Sequence, residues 1–297
     1  MKLSVILIAY DMAREIPRTL QALSRDYQHD ALDLEYEVIL VDNGSPQPLD
    51  PSSWSHVDVP VTFIYLEDAP PSPAHAINVA LEQAQGEILC LMIDGAHLLT
   101  PGVFKMALAS YAAYDGPVVV ATRYFWMGPE SQNLSISKGY NKQVEDQLLE
   151  SINWPEDGYR LFEVGAPLLQ KDEHINWLNR MFESNCLFLP RDLFVEQGGA
   201  EERFDIPGGG FINLDIFNRA VEAPGVTPVQ LIGEGCFHQL HGGTTTNISM
   251  KERNAEIEKY HEQFAEIRGH SQIITTKTFM FMGHIANNAA KIHRLSE

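Results

Sequence analysis

The residues best suited to chemistry in this chain are acids at the ends of apolar runs. Glu87-Ile88-Leu89-Cys90-Leu91-Met92-Ile93 leads straight into Asp94-Gly95-Ala96-His97. A short apolar run that stops at an acid and a glycine reads as a buried strand opening into a loop. In open α/β sheets, ligands bind beyond the carboxyl ends of such strands. An acid there can hold a divalent cation, and a cation can hold phosphates. The alternative is that Asp94 caps its own turn or the next helix. A second acid, Asp42, opens the turn sequence Asp42-Asn43-Gly44-Ser45 directly after the apolar run from Tyr36 to Val41.

The intervening elements must bring these acids together. Leu3 to Ala9 predicts a buried strand, and Ile16, Leu20 and Leu23 share one face of a helix with Pro17 in its first turn. Val61 to Leu66 predicts a third strand. After the loop Pro70-Pro71-Ser72-Pro73 comes a helix with Ile77, Leu81 and Ala84 on one side. Thr100-Pro101-Gly102 reads as a helix start with Thr100 as N-cap, and Val118 to Ala121 as a further strand. Strands alternating with helices predict a mostly parallel sheet with right-handed crossovers. Asp42 and Asp94 then share one sheet edge, which favours a site over two unrelated caps.

Beyond residue 126 the pattern changes. Trp126 to Trp177 is polar, glycine-dotted and aromatic, with one helix expected around Asn141 to Ile152; such stretches often form binding loops. Helices are expected over Pro190 to Gln197, Asn213 to Ala223 and Met250 to Arg268, and strands over Val226 to Ile232 and Gly235 to Leu240. Thr278 to Ile292 reads as a last helix. Its face of Phe279, Met282, Ile285 and Ala289 packs on the main body or on a second copy in a homodimer.

Composition bounds the partners. The 297 residues carry 21 Lys and Arg against 40 Asp and Glu, a formal net charge of −19. That opposes nucleic acid and anionic membrane, which attract basic faces. A polyanionic ligand would need a cation or local amides to offset the repulsion. Cys90, Cys186 and Cys236 are odd in number and each lies in an apolar run, so buried thiols are expected. No run approaches the ~20 apolar residues of a membrane helix, and none resembles a signal peptide. The expected location is cytoplasmic.

With these residues in view, the chain resembles family 2-type glycosyltransferases of the GT-A fold. Ser4-Val5-Ile6-Leu7-Ile8-Ala9-Tyr10-Asp11 is similar to the family's opening strand, and Glu37-Val38-Ile39-Leu40-Val41-Asp42-Asn43-Gly44-Ser45 to its second strand and turn. Ala76-Ile77-Asn78 followed by Ala84-Gln85-Gly86-Glu87 resembles the next motif, and Ile93-Asp94-Gly95-Ala96-His97 stands at the Asp-x-Asp position. Gly199-Ala200-Glu201-Glu202-Arg203-Phe204 with Asp215 and Arg219 resembles the acceptor-side motif more loosely. The resemblance implies a Rossmann-like GT-A domain in two halves, 1–105 for the nucleotide sugar and 106–249 for the acceptor and catalysis. A helical extension, 250–297, follows. It implies transfer of a sugar from a UDP- or GDP-linked donor to an acceptor hydroxyl, with Mn²⁺ or Mg²⁺ neutralising the leaving group. Ala9, Tyr10, Asp11, Asp42, Asn78 and Asp94 would meet the donor, Tyr10 and Asp42 at the nucleoside.

The departures from the pattern are specific. Ala96 replaces the second acid, Ile77 an arginine, Ala80 a glycine, and Asn213 an acid of the acceptor motif. An inverting transferase needs a carboxylate to take the acceptor proton, and Asn213 cannot do so. Asp215 or Asp205 then serves as base, or the enzyme retains configuration without one, or the protein binds a nucleotide sugar without turnover. A nucleotidyltransferase is disfavoured because no Gly-rich Lys/Arg loop follows the first strand. Some GT-A enzymes add a late histidine to the metal, and His238 and His241 stand three apart ahead of Gly242-Gly243-Thr244-Thr245-Thr246-Asn247. The expected ligands are Asp94, His241 and His97, with imidazole nitrogen suiting Mn²⁺. His238 is a further candidate ligand ranked below these, and is expected sooner as a buried, hydrogen-bonded strand residue. Gly208-Gly209-Gly210 lies by the transferred sugar on the family pattern and is otherwise a plain turn.

Overall fold

Alternation along the first strand sets the layers. In β1 (Leu3–Ala9) every residue is buried. Leu3, Val5 and Leu7 belong to one apolar core, Ile6 and Ile8 to another. The sheet is therefore covered on both faces, as a mostly parallel sheet requires. A computed structural model describes residues 2–168, 177–243 and 248–289.

The chain continues through α1 (Glu15–Ala22), β2 (Tyr36–Asp42), β3 (Val61–Tyr65), α2 (Ala74–Gln83), β4 (Ile88–Met92), β5 (His97–Leu99), α3 (Val103–Ala113) and β6 (Val118–Met127). The stretch after it holds α4 (Gln132–Ser137), α5 (Lys142–Ser151), α6 (Leu161–Val164) and β7 (Gly165–Pro167). Then come β8 (Leu187–Pro190), α7 (Arg191–Glu196), α8 (Ile212–Glu222), β9 (Thr227–His238), α9 (Met250–Arg268) and β10 (Met280–Gly283). One core takes Ile16 and Leu20 of α1 with Phe104 of α3. The other takes Ile77 of α2, Phe217 of α8 and Phe264 of α9.

The strand order is β10-β9-β6-β8-β4-β1-β2-β3, with β5 on β9 and β7 on β6. β1 runs parallel to β2 with Ala9 beside Asp42, and parallel to β4 with Leu7 beside Met92. Asp42 and the Asp94 loop thus leave the sheet at one edge. β8 runs antiparallel to both neighbours, pairing Leu91 with Leu187 and Ala121 with Leu187. Its beginning, and not its end, therefore lies at that same edge.

Three expectations are corrected. Val226 to Leu240 holds a single strand, β9, whose register against β6 shifts between Ala121 and Arg123. The irregularity falls at Gly233, where φ is +78° and a Cβ would meet the His284 carbonyl at 1.6 Å. Thr100 is no N-cap: Gly102 takes that place, while Thr100 Oγ1 donates to Glu234 and accepts from the Gly235 amide. Thr278 to Ile292 is no helix over its described part. Met280 to Gly283 pairs parallel with β9 instead, because the open edge of β9 offers backbone partners to a contiguous apolar run of ambiguous period. Residues 290–292 of that expectation, and Thr244 to Asn247 of the glycine loop, lie outside the described residues. Phe279 and Ala289 pack into the body, while Met280, Phe281 and Ile285 stay exposed. The three thiols are free and buried, as expected, with Cys90 and Cys186 Sγ atoms 3.7 Å apart.

Candidate active site

Asp94 emerges from β4 with one carboxylate oxygen held by its own turn. Oδ1 accepts from the Ala96 amide at 3.0 Å, so the lost second acid has become a backbone donor. The turn needs Gly95, since a Cβ there would lie 2.6 Å from the Ile8 carbonyl. Oδ2 points the other way, 3.1 Å from Nε2 of both His238 and His241. The two imidazole nitrogens are 3.0 Å apart. β5 makes this meeting possible: His97 pairs with His238 across the β5–β9 ladder, tying the Asp94 loop to a strand 144 residues later.

The geometry fits a divalent cation. Neighbouring ligand atoms around an octahedral ion with bonds near 2.1 Å lie about 3.0 Å apart, the spacing of these three atoms. Two histidines and one carboxylate on one side leave positions open for other ligands. Burial raises the Asp94 carboxyl, but His241 and His238 outweigh it and hold the group well below the usual range. Burial lowers the His241 imidazole, and Asp94 more than reverses that. A proton shared in this way is what a cation displaces. His97 lies behind the triangle, with a ligand atom within 4.8 Å of those of Asp94 and His238. Its Nδ1 meets Cys236 Sγ at 3.1 Å, and its buried Nε2 has no hydrogen-bond partner. Burial pushes it down to about 3, so it is neutral and able to ligate.

Supporting contacts orient the imidazoles, as metal-site histidines require. Gln132 Nε2 donates to the His238 carbonyl, so its Oε1 accepts from His238 Nδ1 at 3.0 Å. That leaves Nε2 as the ring nitrogen facing Asp94 and His241. Tyr124 stacks on the His238 ring, and Trp126 meets it edge-on. The backbone of Leu240, beside His241, is clamped from both sides. Its amide donates to Glu145 Oε2 at 2.8 Å and its carbonyl accepts from Arg14 at 3.0 Å. Arg14 in turn pairs with Glu15 and Glu145, whose side chains are fully buried.

These residues face a cavity of about 1070 Å³. Ala9, Tyr10, Asp11, Asn43 and Gly44 line it beyond β1 and β2, and Asp94, His238 and His241 beyond β4 and β9. Tyr124 and Trp126 face it from β6, and Gly208 and Gly210 from the glycine turn. Several expected residues are placed elsewhere. Asp42 is buried, with Oδ1 accepting from the Ser45 amide and hydroxyl and Oδ2 from the Leu49 amide, so it builds the turn that presents Asn43 and Gly44. Asn78 braces the Ala200 backbone and Glu202. Asp215 is held by Arg219 and by two nitrogens of Arg268, stapling α8 to α9, and does not line the cavity. Asp205 accepts from Gln263 on the exposed side.

The sequence reading missed two wall residues, Arg253 and Glu183. Arg253 enters from α9. Glu183, just ahead of β8, faces the cavity, and Asn213 Nδ2 donates to its Oε2 at 3.2 Å. Burial pushes Glu183 up to about 7, against the opposing effects of Asn213 and Arg253. His238 was expected as a strand residue sooner than as a ligand. It is one, and its Nε2 also faces Asp94 and His241.

The sequence profile of glycosyl transferase family 2 matches residues 4–166, more than half of the chain, and the chain belongs to that family. Its sheet and flanking helices form a GT-A domain, as in the solved structures it resembles. It is similar to TarS of S. aureus, with a TM-score of 0.51 and 15% identity, over 91% of this chain and 41% of TarS. The chain thus spans less than half of that protein. The TarS segment 1–349 in complex with UDP-GlcNAc gives a TM-score of 0.51 at 15% identity, over 91% of this chain and 68% of the segment. The mannosyltransferase PcManGT of Pyrobaculum calidifontis, in complex with GDP-Man and Mn²⁺, gives 0.50 at 18% identity, over 91% and 65%. At such identities the likeness is one of fold. No curated protein matches the chain. No helix among the described residues is long and apolar enough to cross a membrane.

Proposed function

We propose that this protein transfers a sugar from a UDP- or GDP-linked donor to an acceptor hydroxyl, with a divalent cation held by Asp94, His238 and His241. One observation carries the reading. In a family 2 chain, three donor atoms spaced 3.0–3.1 Å apart face a cavity of about 1070 Å³, at the edge where α/β sheets bind nucleotides.

On this reading the donor follows the strand order. Tyr10, Asn43 and Gly44 beyond β1 and β2 receive the nucleoside. The diphosphate lies at Asp94 beyond β4, and the sugar extends toward β8 and β6, where Tyr124 and Trp126 offer aromatic faces. When bound, the cation supplies Lewis-acid stabilisation of the departing diphosphate. His97 completes the buried side of the ligand cluster, and Arg253 adds positive charge in a chain of net charge −19. Mn²⁺ suits the two imidazoles and one carboxylate better than Mg²⁺, which favours oxygen ligands.

Titration calorimetry of UDP and of GDP, each with Mn²⁺ and then with EDTA, tests the reading. Metal-dependent binding of one nucleotide is expected, and Asp94→Ala should abolish it. Equal binding with and without metal would remove the cation from the proposal. No binding of either nucleotide would remove the donor.

A further inference from the structure

Three carboxylates line the cavity among the described residues: Asp11, Asp94 and Glu183. Asp94 is committed to the histidines. Asp11 follows β1, at the nucleoside end. Glu183 enters at the opposite end, because antiparallel β8 brings its beginning to the edge where its neighbours finish. It shares that part of the wall with Tyr124 and Trp126, and among the described residues its one hydrogen-bond partner is Asn213. Asn213 donates to one carboxylate oxygen only, so the other has no protein donor.

We propose that Glu183 is the general base of the transfer, held in place by the Asn213 amide. This rests on the transferase reading above. The acceptor oxygen bonds to the anomeric carbon as the bond from that carbon to the diphosphate oxygen breaks. The electron pair leaves with the nucleoside diphosphate, and the hydroxyl proton passes to the Glu183 carboxylate. The displacement is single, so configuration at the anomeric carbon inverts. Glu183 is half-buried, in surroundings that resist a bare charge. The charged or titratable groups facing it are Arg253 of α9 and Tyr124 of β6, with Tyr260 and His261 of α9, Tyr10, Asp11, Asp94, His238 and His241 elsewhere in the same cavity. A base titrating near neutrality is well matched to taking a proton at neutral pH. The basic form is the ionised one, so the rate rises with pH through about 7.

Donor hydrolysis, with water in place of the acceptor, tests this without knowing the acceptor. UDP-glucose, UDP-N-acetylglucosamine and GDP-mannose with Mn²⁺ are the probes, and donor affinity is measured in parallel by calorimetry. Glu183→Gln should lower the hydrolysis rate by about 10²–10³-fold with donor affinity unchanged, and the rise in rate with pH should disappear. Adding Asn213→Asp to Glu183→Gln returns a carboxylate to the same spot and should restore part of the rate and the pH limb; a merely structural role would do neither. Full hydrolysis in Glu183→Gln overturns the assignment and leaves the transferase reading standing. Donor binding without hydrolysis in the wild type also overturns it. Absence of donor binding in the wild type overturns both.

Discussion

Replacing Arg14 by Met removes the clamp on the histidine loop while keeping most of the side chain's bulk. The guanidinium donates to Glu145 Oε1 at 2.5 Å, Glu15 Oε1 at 2.7 Å, Asp146 Oδ1 at 2.9 Å and the Leu240 carbonyl at 3.0 Å. Burial lowers Arg14, but Glu15 and Glu145 raise it above its ordinary value. Removing one partner of a buried ion pair costs ~3–5 kcal/mol, because the other charge stays buried. Two features place Arg14→Met at the lower end. The side chain is 22% exposed, and Lys142 Nζ remains 3.4 Å from Glu15. A loss of about 3 kcal/mol is expected by urea unfolding in EDTA. Adding Glu145→Gln removes one orphaned charge, so the double variant should lose less than the single one. The freed Leu240 backbone lets His241 drift, and Mn²⁺ affinity should fall by about 10–100-fold, as for other contacts that orient ligands. A loss below about 1 kcal/mol, or unchanged Mn²⁺ affinity, would refute the clamp.

Glu234 and Gly95 give two further tests. Burial pushes Glu234 up to about 7, despite donors from Thr100, Tyr159 and the Gly102 amide. Its folded pKa is thus above the unfolded value near 4.3, and the folded state keeps a proton that the unfolded chain has lost. Stability contributed at low pH should therefore decline as pH rises from about 4.3 to 7, by up to ~3 kcal/mol. Glu234→Gln cannot ionise, so its urea midpoint should vary less between pH 5 and pH 8 than that of the wild type; parallel changes would count against the assignment. Gly95→Ala drives a Cβ into the Ile8 carbonyl and should cost about 1–3 kcal/mol by overpacking. It should also weaken Mn²⁺ binding by displacing Asp94, and an unaltered melting temperature would show that the turn is not tight.

Period and punctuation made the first 120 residues legible. Leu3 to Ala9, Tyr36 to Val41 and Ile88 to Met92 are apolar runs broken only by Ser4 and Glu37, and only sheets covered on both faces need those. The shared edge of Asp42 and Asp94 followed from parallel pairing alone. What each acid does at that edge did not follow, because Asp42 spends its oxygens on Ser45 and Leu49, a choice set by loop length. Asp215 looked catalytic by position, yet Arg268 reaches it from 53 residues away. Glu183 was overlooked for a topological reason. An acid ahead of an apolar run points away from the site in a parallel strand, and strand direction is not written in local sequence. Met280 to Gly283 failed on period: Phe279-Met280-Phe281-Met282 suits a helix or a strand equally, and the open edge of β9 decided.

The reversal of β8 separates two properties that a fully parallel sheet would bind together. β6 and β8 are adjacent and antiparallel, so the chain leaves β6 and re-enters β8 at the cavity rim. Within that connection Gln132, Glu145 and Glu183 are fixed by their contacts, while lengthening its exposed turns costs little, about 0.6 kcal/mol per doubling. Such an architecture leaves the exposed turns of one continuous stretch of chain free to reshape the cavity rim while the parallel strands beside it keep their pairing.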